Sequence, residues 1–189
     1  MKNKFLSSTA YIFILLSFST FVLSEEFDFK SSEIIFLDNG NKIKGINGID
    51  LVTNNEIRIT GEQFIYNKIN SILNVKGDVI IYDDINKIIL RSDEFTYLKK
   101  QELIYTKNKT IVEIGNDYIL ESNELNFDRN KKEIFSNKKS NIKDLDGNLS
   151  SMSKFNFSLI TQLINADDMK YVDINSSQIF IKKGMINLQ

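Results

Sequence analysis

The chain has 189 residues, 42% of them hydrophobic and 26% charged, with a formal net charge of −1 and no His, Cys or Pro. Without cysteine or histidine it has no disulfide, no thiolate metal site, and neither the commonest metal ligand nor the commonest general base. It also lacks the strongly basic balance that nucleic-acid binding needs, while the absence of proline leaves strand ladders uninterrupted.

The first element is an export signal. Lys2 and Lys4 precede a mostly apolar stretch from Tyr11 to Leu23, and Val22 and Ser24 take the −3 and −1 places of a small-residue cleavage site before Glu25 and Glu26. This is the build of a secretory signal peptide over residues 1–24. Thirteen residues fall short of the about 20 needed to span a bilayer. An uncleaved anchor is the alternative. With no thiol to acylate, it is not a lipoprotein signal. Residues 25–189 then form one domain, long enough to bury a core.

From there the chain repeats. Each copy has a small residue, two mostly polar ones, then two apolar positions flanking a variable one. The copies occupy 31–36, 61–66, 92–97, 122–127, 152–157 and 183–188. Their first large apolar residues are Ile34, Phe64, Phe95, Leu125, Phe155 and Ile186, spaced by 30, 31, 30, 30 and 31 residues. Seven and five positions before each anchor come apolar pairs: Phe27/Phe29, Ile57/Ile59, Ile88/Leu90, Tyr118/Leu120 and Ile179/Ile181. The fifth copy has Asn148 and Ser150 there instead. Nine positions after the anchor come Ile43, Leu73, Ile104, Ile134 and Ile164.

All these positions alternate with period two, which marks half-buried strands. The step from the −5 residue to the anchor is odd, so a straight strand would place them on opposite faces. A bulge or corner at the small Ser or Gly returns both inside. Asn39 with Gly40, Asn47 with Gly48, Asp146 with Gly147, and Asp83 with Asp84 supply turn chemistry between strands. The expected fold is all-β: an elongated antiparallel β-jellyroll, or solenoid-like stack of about thirty-residue repeats. Phe36, Tyr66, Tyr97, Phe127 and Phe157 would form an aromatic ladder along its interior.

The run small–x–Glu–Phe–x–Tyr, followed by 76–81 (Lys-Gly-Asp-Val-Ile-Ile) and 89–95 (Ile-Leu-Arg-Ser-Asp-Glu-Phe), resembles the OstA-like repeat. That repeat belongs to a family of periplasmic lipopolysaccharide-transport proteins, represented by LptA and the N-terminal periplasmic domain of LptD. The resemblance spans about Phe27 to Leu188. It implies a twisted jellyroll, slightly open along one side, whose apolar interior shields lipid A acyl chains on their way to the outer membrane. The implied acyl contacts are Ile59, Phe64, Tyr66, Leu90, Phe95, Tyr97, Leu120, Leu125, Phe127, Phe155 and Phe157. It implies no cofactor, no catalysis and no nucleic acid. It also implies edge-to-edge β-stacking with other transport proteins or with itself, in the periplasm, or at the outer membrane if the chain is LptD-like. Gly77, Asp78 and Val79 depart from pattern in later copies, as Asn108-Lys109-Thr110 and Lys138-Lys139-Ser140. The chain ends just after its sixth motif, which reads as an open edge or as a cut in a longer protein.

Two other classes compete. A structural or adhesive surface β-solenoid would have the same periodicity and a tightly closed core. A carbohydrate-active β-helix enzyme would need a carboxylate pair in a cleft, whereas Glu33, Glu62, Glu94 and Glu124 recur with the motif, as structural positions do. An inward polar cluster in one unit alone would favour the enzyme.

Overall fold

The computed structural model describes residues 27–53, 57–115 and 117–188; the expected signal peptide lies outside them. Among the described residues there is no α-helix, and 3-10 turns occur at Asp38–Gly40 and Lys99–Gln101. The strands are β1 (Phe27–Leu37), β2 (Lys42–Thr53), β3 (Ile57–Gly61), β4 (Gln63–Asn67) and β5 (Ile72–Asp83). Next come β6 (Ile88–Leu98), β7 (Leu103–Ile114), β8 (Tyr118–Asn123), β9 (Asn126–Asp128) and β10 (Glu133–Ser136). The last five are β11 (Ser140–Asp144), β12 (Leu149–Met152), β13 (Lys154–Ser158), β14 (Leu163–Val172) and β15 (Gln178–Asn187).

All pairings are antiparallel, and they link the strands into one sheet that is folded along its length. The second half of β2 pairs with β3 while its first half pairs with β4, and β5 divides in the same way. The fold line therefore separates two layers. Layer 1 holds the −7/−5 pairs and layer 2 holds the anchors. Long strands cross from one layer to the other, and their ladders break register at the fold line, between Ser31 and Glu33, Lys76 and Val79, and Ser92 and Glu94. The corner inferred from the odd step is thus present at the position of the small residue.

The small residue has a packing reason. Ser92, Thr110, Ser122, Ser136 and Ser140 are all buried along this line. Their hydroxyls meet one another: Thr110 with Thr106 at 2.7 Å, Ser140 with Ser122 at 2.8 Å, and Ser122 with Ser136 at 3.1 Å. Ser92 donates to the Lys107 carbonyl at 3.0 Å. A bulge leaves ladder groups unpaired, and short hydroxyl side chains satisfy them from within.

One turn expectation is corrected. Asn47 and Gly48 do not join two strands; they form the corner inside β2, at φ 64° and 88°. Hairpin turns and bulges both need left-handed residues, so the dipeptide alone does not separate them. Of the two departing copies, the one at 138–140 is interrupted, with Lys138 and Lys139 lying between β10 and β11, whereas the one at 108–110 keeps a continuous strand. Asn108 reaches φ 63° and makes in β7 the corner that Gly77, at φ 81°, makes in β5, since Asn tolerates that region better than most residues. Asn39–Gly40 and Asp146–Gly147 do lie in hairpin turns.

Inside, side chains stack in rows. In layer 2 the register joins Phe36, Ile43, Tyr66, Leu73, Tyr97, Ile104, Phe127, Ile134, Phe157, Ile164 and Ile186 across consecutive strands. Aromatic and aliphatic rungs mostly alternate, because each repeat crosses the layer twice. Equivalent residues of successive repeats are therefore two strands apart, about 10 Å. Beside this row, Phe64, Phe95 and Phe155 alternate with small partners: Gly45, Val75, Thr106, Ser136 and Ala166. The space there is tight; a Cβ on Gly45 would stand 2.1 Å from the Phe64 ring.

Candidate functional site

The layers face each other through these rows. Ile59, Phe64, Tyr66, Leu90, Phe95, Tyr97, Leu120, Leu125, Phe127, Phe155 and Phe157 all point inward, none more than 5% exposed. They join with Leu51, Leu73, Val75, Ile81, Ile104, Val112, Ile134 and Ile164 in one apolar cluster. These additional residues occupy the intervening rungs. Leu73, Ile104, Ile134 and Ile164 carry the signal of the apolar position nine residues after each anchor; Leu51, Val75, Ile81 and Val112 lie outside it. Burying each large side chain is worth about 1.5–3 kcal/mol, so the rows are the main source of stability as well as the candidate groove.

Phe36 is a correction. Expected inside, it is 65% exposed. The layers are offset along the stack: Phe27 of β1 meets the Tyr66 ring at 4.8 Å and Tyr97 at 6.2 Å, and Phe29 stacks on Phe64 at 4.8 Å. Layer 1 of β1 thus covers β4 and β6, leaving the layer 2 half of β1 uncovered. At the opposite end the layer 1 half of β15 is uncovered, with Ile179 at 54%.

Away from the fold line, the hairpin turns form two lips. Layer 1 turns lie at 84–87, at Gly115 and Asp117, at 145–148 and at 173–177; layer 2 turns lie at 38–41, 68–71, 99–102, 129–132 and 159–162. The layer 1 lip is mainly acidic, with Asp83, Asp84, Asp117, Asp144, Asp146 and Asp173. The layer 2 lip is mainly basic, with Lys68, Lys99, Lys100, Arg129, Lys131 and Lys132. Backbone bonds tie one layer 2 turn to the next: Lys68 N–H to Asn41 O, Lys99 to Ser71, Arg129 to Glu102 and Leu159 to Lys132.

A buried ionic clasp joins the lips. Arg129 Nε donates to Asp83 Oδ2 at 2.7 Å, with the two side chains 7% and 1% exposed. Its other guanidinium arm engages Glu102, which also accepts from Lys99 Nζ at 2.5 Å and from the Tyr97 hydroxyl at 2.7 Å. Asn86 donates twice more to Asp83, from its backbone N–H at 3.0 Å and from Nδ2 at 2.8 Å. Burial alone would raise the Glu102 pKa, but the hydrogen bonds from Lys99 and Tyr97 and the charges of Lys99 and Arg129 outweigh it and hold the carboxyl below its ordinary range. Burial, together with bonding to Glu102, pushes the Tyr97 phenol up.

The sequence expectation for Asp83 is turn chemistry; the structure ends β5 on it and places it in the clasp. Its signal was positional: Asp83 continues the inward alternation of Val79 and Ile81 and pairs with Ile57 and Ile88. This is an inward polar cluster in one unit, yet its chemistry is not that of a glycosidase pair. Such enzymes need one carboxylic acid with a raised pKa, whereas Glu102 is held low and both carboxylates are already bound to one guanidinium.

Farther along the mouth the Tyr118 hydroxyl donates to the Leu188 carbonyl at 3.0 Å, another link between the lips. Burial and the charges of Asp144, Asp117 and Asp146 push this phenol up. A cleft of 640 Å³ opens between the lips here, lined from layer 1 by Ile85, Lys87, Ile114, Asp117 and Tyr118 and from layer 2 by Lys132, Leu159, Ile160 and Leu188. No helix among the described residues is long and apolar enough to cross a membrane.

No family model and no curated protein matches the chain. Among solved structures, it is similar to LptH from Pseudomonas aeruginosa, the LptA-homologous periplasmic component of the conserved lipopolysaccharide transport device. The TM-score is 0.54 at 14% identity, over 69% of this chain and 93% of that one. At that identity the likeness is one of fold. The TCP10 domain of Danio rerio CPAP, in complex with a STIL peptide, aligns over 82% of this chain and 99% of its own with a TM-score of 0.17 and 10% identity, too low to indicate a shared fold.

Proposed function

We propose that this chain is a periplasmic component of lipopolysaccharide transport that shields acyl chains between its two layers. The observation that carries the reading is the unbroken apolar row of layer 2, which runs from Phe36 to Ile186 through every strand of that layer. Leaving an acyl chain in water costs roughly 0.8 kcal/mol per CH₂, so a path for such chains has to be continuous and without polar traps. The fold shared with LptH supports the same reading. Export by a signal peptide at 1–24, with residues 25–189 as the functional domain, belongs to it.

The ends fit assembly in a line. The outer edges of β1 and β15 have no strand partner among the described residues. Phe36 and Ile34 on one end, and Ile179 and Ile181 on the other, leave apolar half-layers uncovered. Because the uncovered halves belong to opposite layers, the end of one domain complements the start of another, and strand addition would carry the rows across the joint. The partner is another transport component or a second copy, and an LptA-like bridge and an LptD-like N-terminal domain fit equally well.

One observation favours a second reading, a purely structural solenoid: between Phe36 and Ile186 the row residues are almost fully buried. Under the transport reading the layers separate to admit lipid. Photocrosslinking in the cell envelope, with the probe at Phe95 or at the outward Asn126, decides between them. Lipopolysaccharide-sized adducts from 95 but not 126 are expected. Crosslinks from 95 confined to the chain itself would leave the structural solenoid standing.

A further inference from the structure

We propose that the cleft between the lips is a lateral docking site for an anionic amphiphile, with an acyl chain on its floor and a phosphate-type headgroup held between Lys87 and Lys132. The inference rests on the lipid reading and adds where, and by what chemistry, the lipid meets this chain.

Three observations carry it. The cleft spans both lips, so a molecule in it touches both layers at once. Its floor is the outer margin of the core: Ile114 is buried, and Tyr118, Leu159 and Leu188 are partly buried and packed against the apolar cluster. A chain lying on these residues is already in contact with the rows. Finally, the rim carries one lysine from each lip, both exposed, against Asp117 as the sole acidic residue of the lining. One ammonium group on each lip beside an apolar floor matches a ligand with a charged head and a hydrocarbon tail, because charge-assisted hydrogen bonds to phosphate are stronger than neutral ones. The hydrogen bond from Tyr118 to Leu188 lies in the same lining, so an entering chain displaces one neutral bond and leaves the buried clasp intact.

The test uses the full chain with a photoreactive residue at Leu159 or, in a parallel sample, at Phe95, titrated with bis-phosphorylated lipid A and with the same lipid after dephosphorylation. Labelling at 159 by the phosphorylated lipid is expected. Lys87→Gln combined with Lys132→Gln should weaken it about tenfold, and Asp117→Asn should strengthen it a few-fold, as two charge-assisted contacts and one repulsion imply. The dephosphorylated lipid should respond to neither. These residues are exposed, and unchanged thermal unfolding of the variants confirms intact folding. Labelling at 95 with none at 159, or with lysine variants indifferent, overturns the docking site and leaves the lipid reading in place. No labelling at either position overturns both.

Discussion

The Asp83–Arg129 pair offers the sharpest quantitative test of how the layers are held together. Arg129→Met removes the guanidinium and leaves Asp83, 1% exposed, without its cation. Breaking a buried pair on one side costs about 3–5 kcal/mol. Asp83 keeps two donors from Asn86, and Glu102 keeps Lys99 and Tyr97, so the loss falls near the lower bound, about 3 kcal/mol. In a domain of this size that lowers Tm by roughly 6–12 °C. Asp83→Asn on top of Arg129→Met removes the stranded charge and should bring stability back to within about 1 kcal/mol of the parent, because neutral replacements of buried pairs are often tolerated. Urea unfolding followed by circular dichroism, with equal slopes in all four members of the cycle, yields the coupling energy. A coupling below about 0.5 kcal/mol, or a double variant as weak as the sum of the singles, would refute the clasp.

Two further outcomes follow from the same geometry. Gly45→Ala places a methyl against the Phe64 ring, at a position where a Cβ stands 2.1 Å from it, and should cost about 1–3 kcal/mol as overpacking; Phe64→Leu in the same chain should recover part of that loss in thermal melts, and equal melting of Gly45→Ala and the parent would contradict the packing. With no His or Cys, stability should be nearly flat from about pH 6 to 9. Since the folded Glu102 carboxyl lies below its unfolded value of 4.5, its contribution is complete above that value and is lost as pH falls through the folded one. Glu102→Gln should therefore flatten the acid limb of stability against pH, and an unchanged acid limb would remove Glu102 from the account.

Much of this molecule is written in local order. Strand identity, the two-layer repeat and the inward set from Ile59 to Phe157 are all readable from a period of two nested in a period of about thirty, because burial in a pleated sheet requires that alternation. Even the corner could be inferred, from one odd step between two apolar positions. What the sequence by itself could not decide depends on partners far apart in the chain. Whether Asn47–Gly48 turns or bends a strand is settled by pairing, since both need the same backbone angles. Phe36 lies outside because the layers are offset, and an offset depends on which strands of the two layers face each other rather than on any local pattern. Asp83 and Arg129 are 46 residues apart, and only closure of the two layers brings a turn residue of one lip into a buried ion pair with the other. Periodicity specifies which face of each strand is buried; the packing of one layer on the other decides which of those faces meet, where they part, and what holds the mouth.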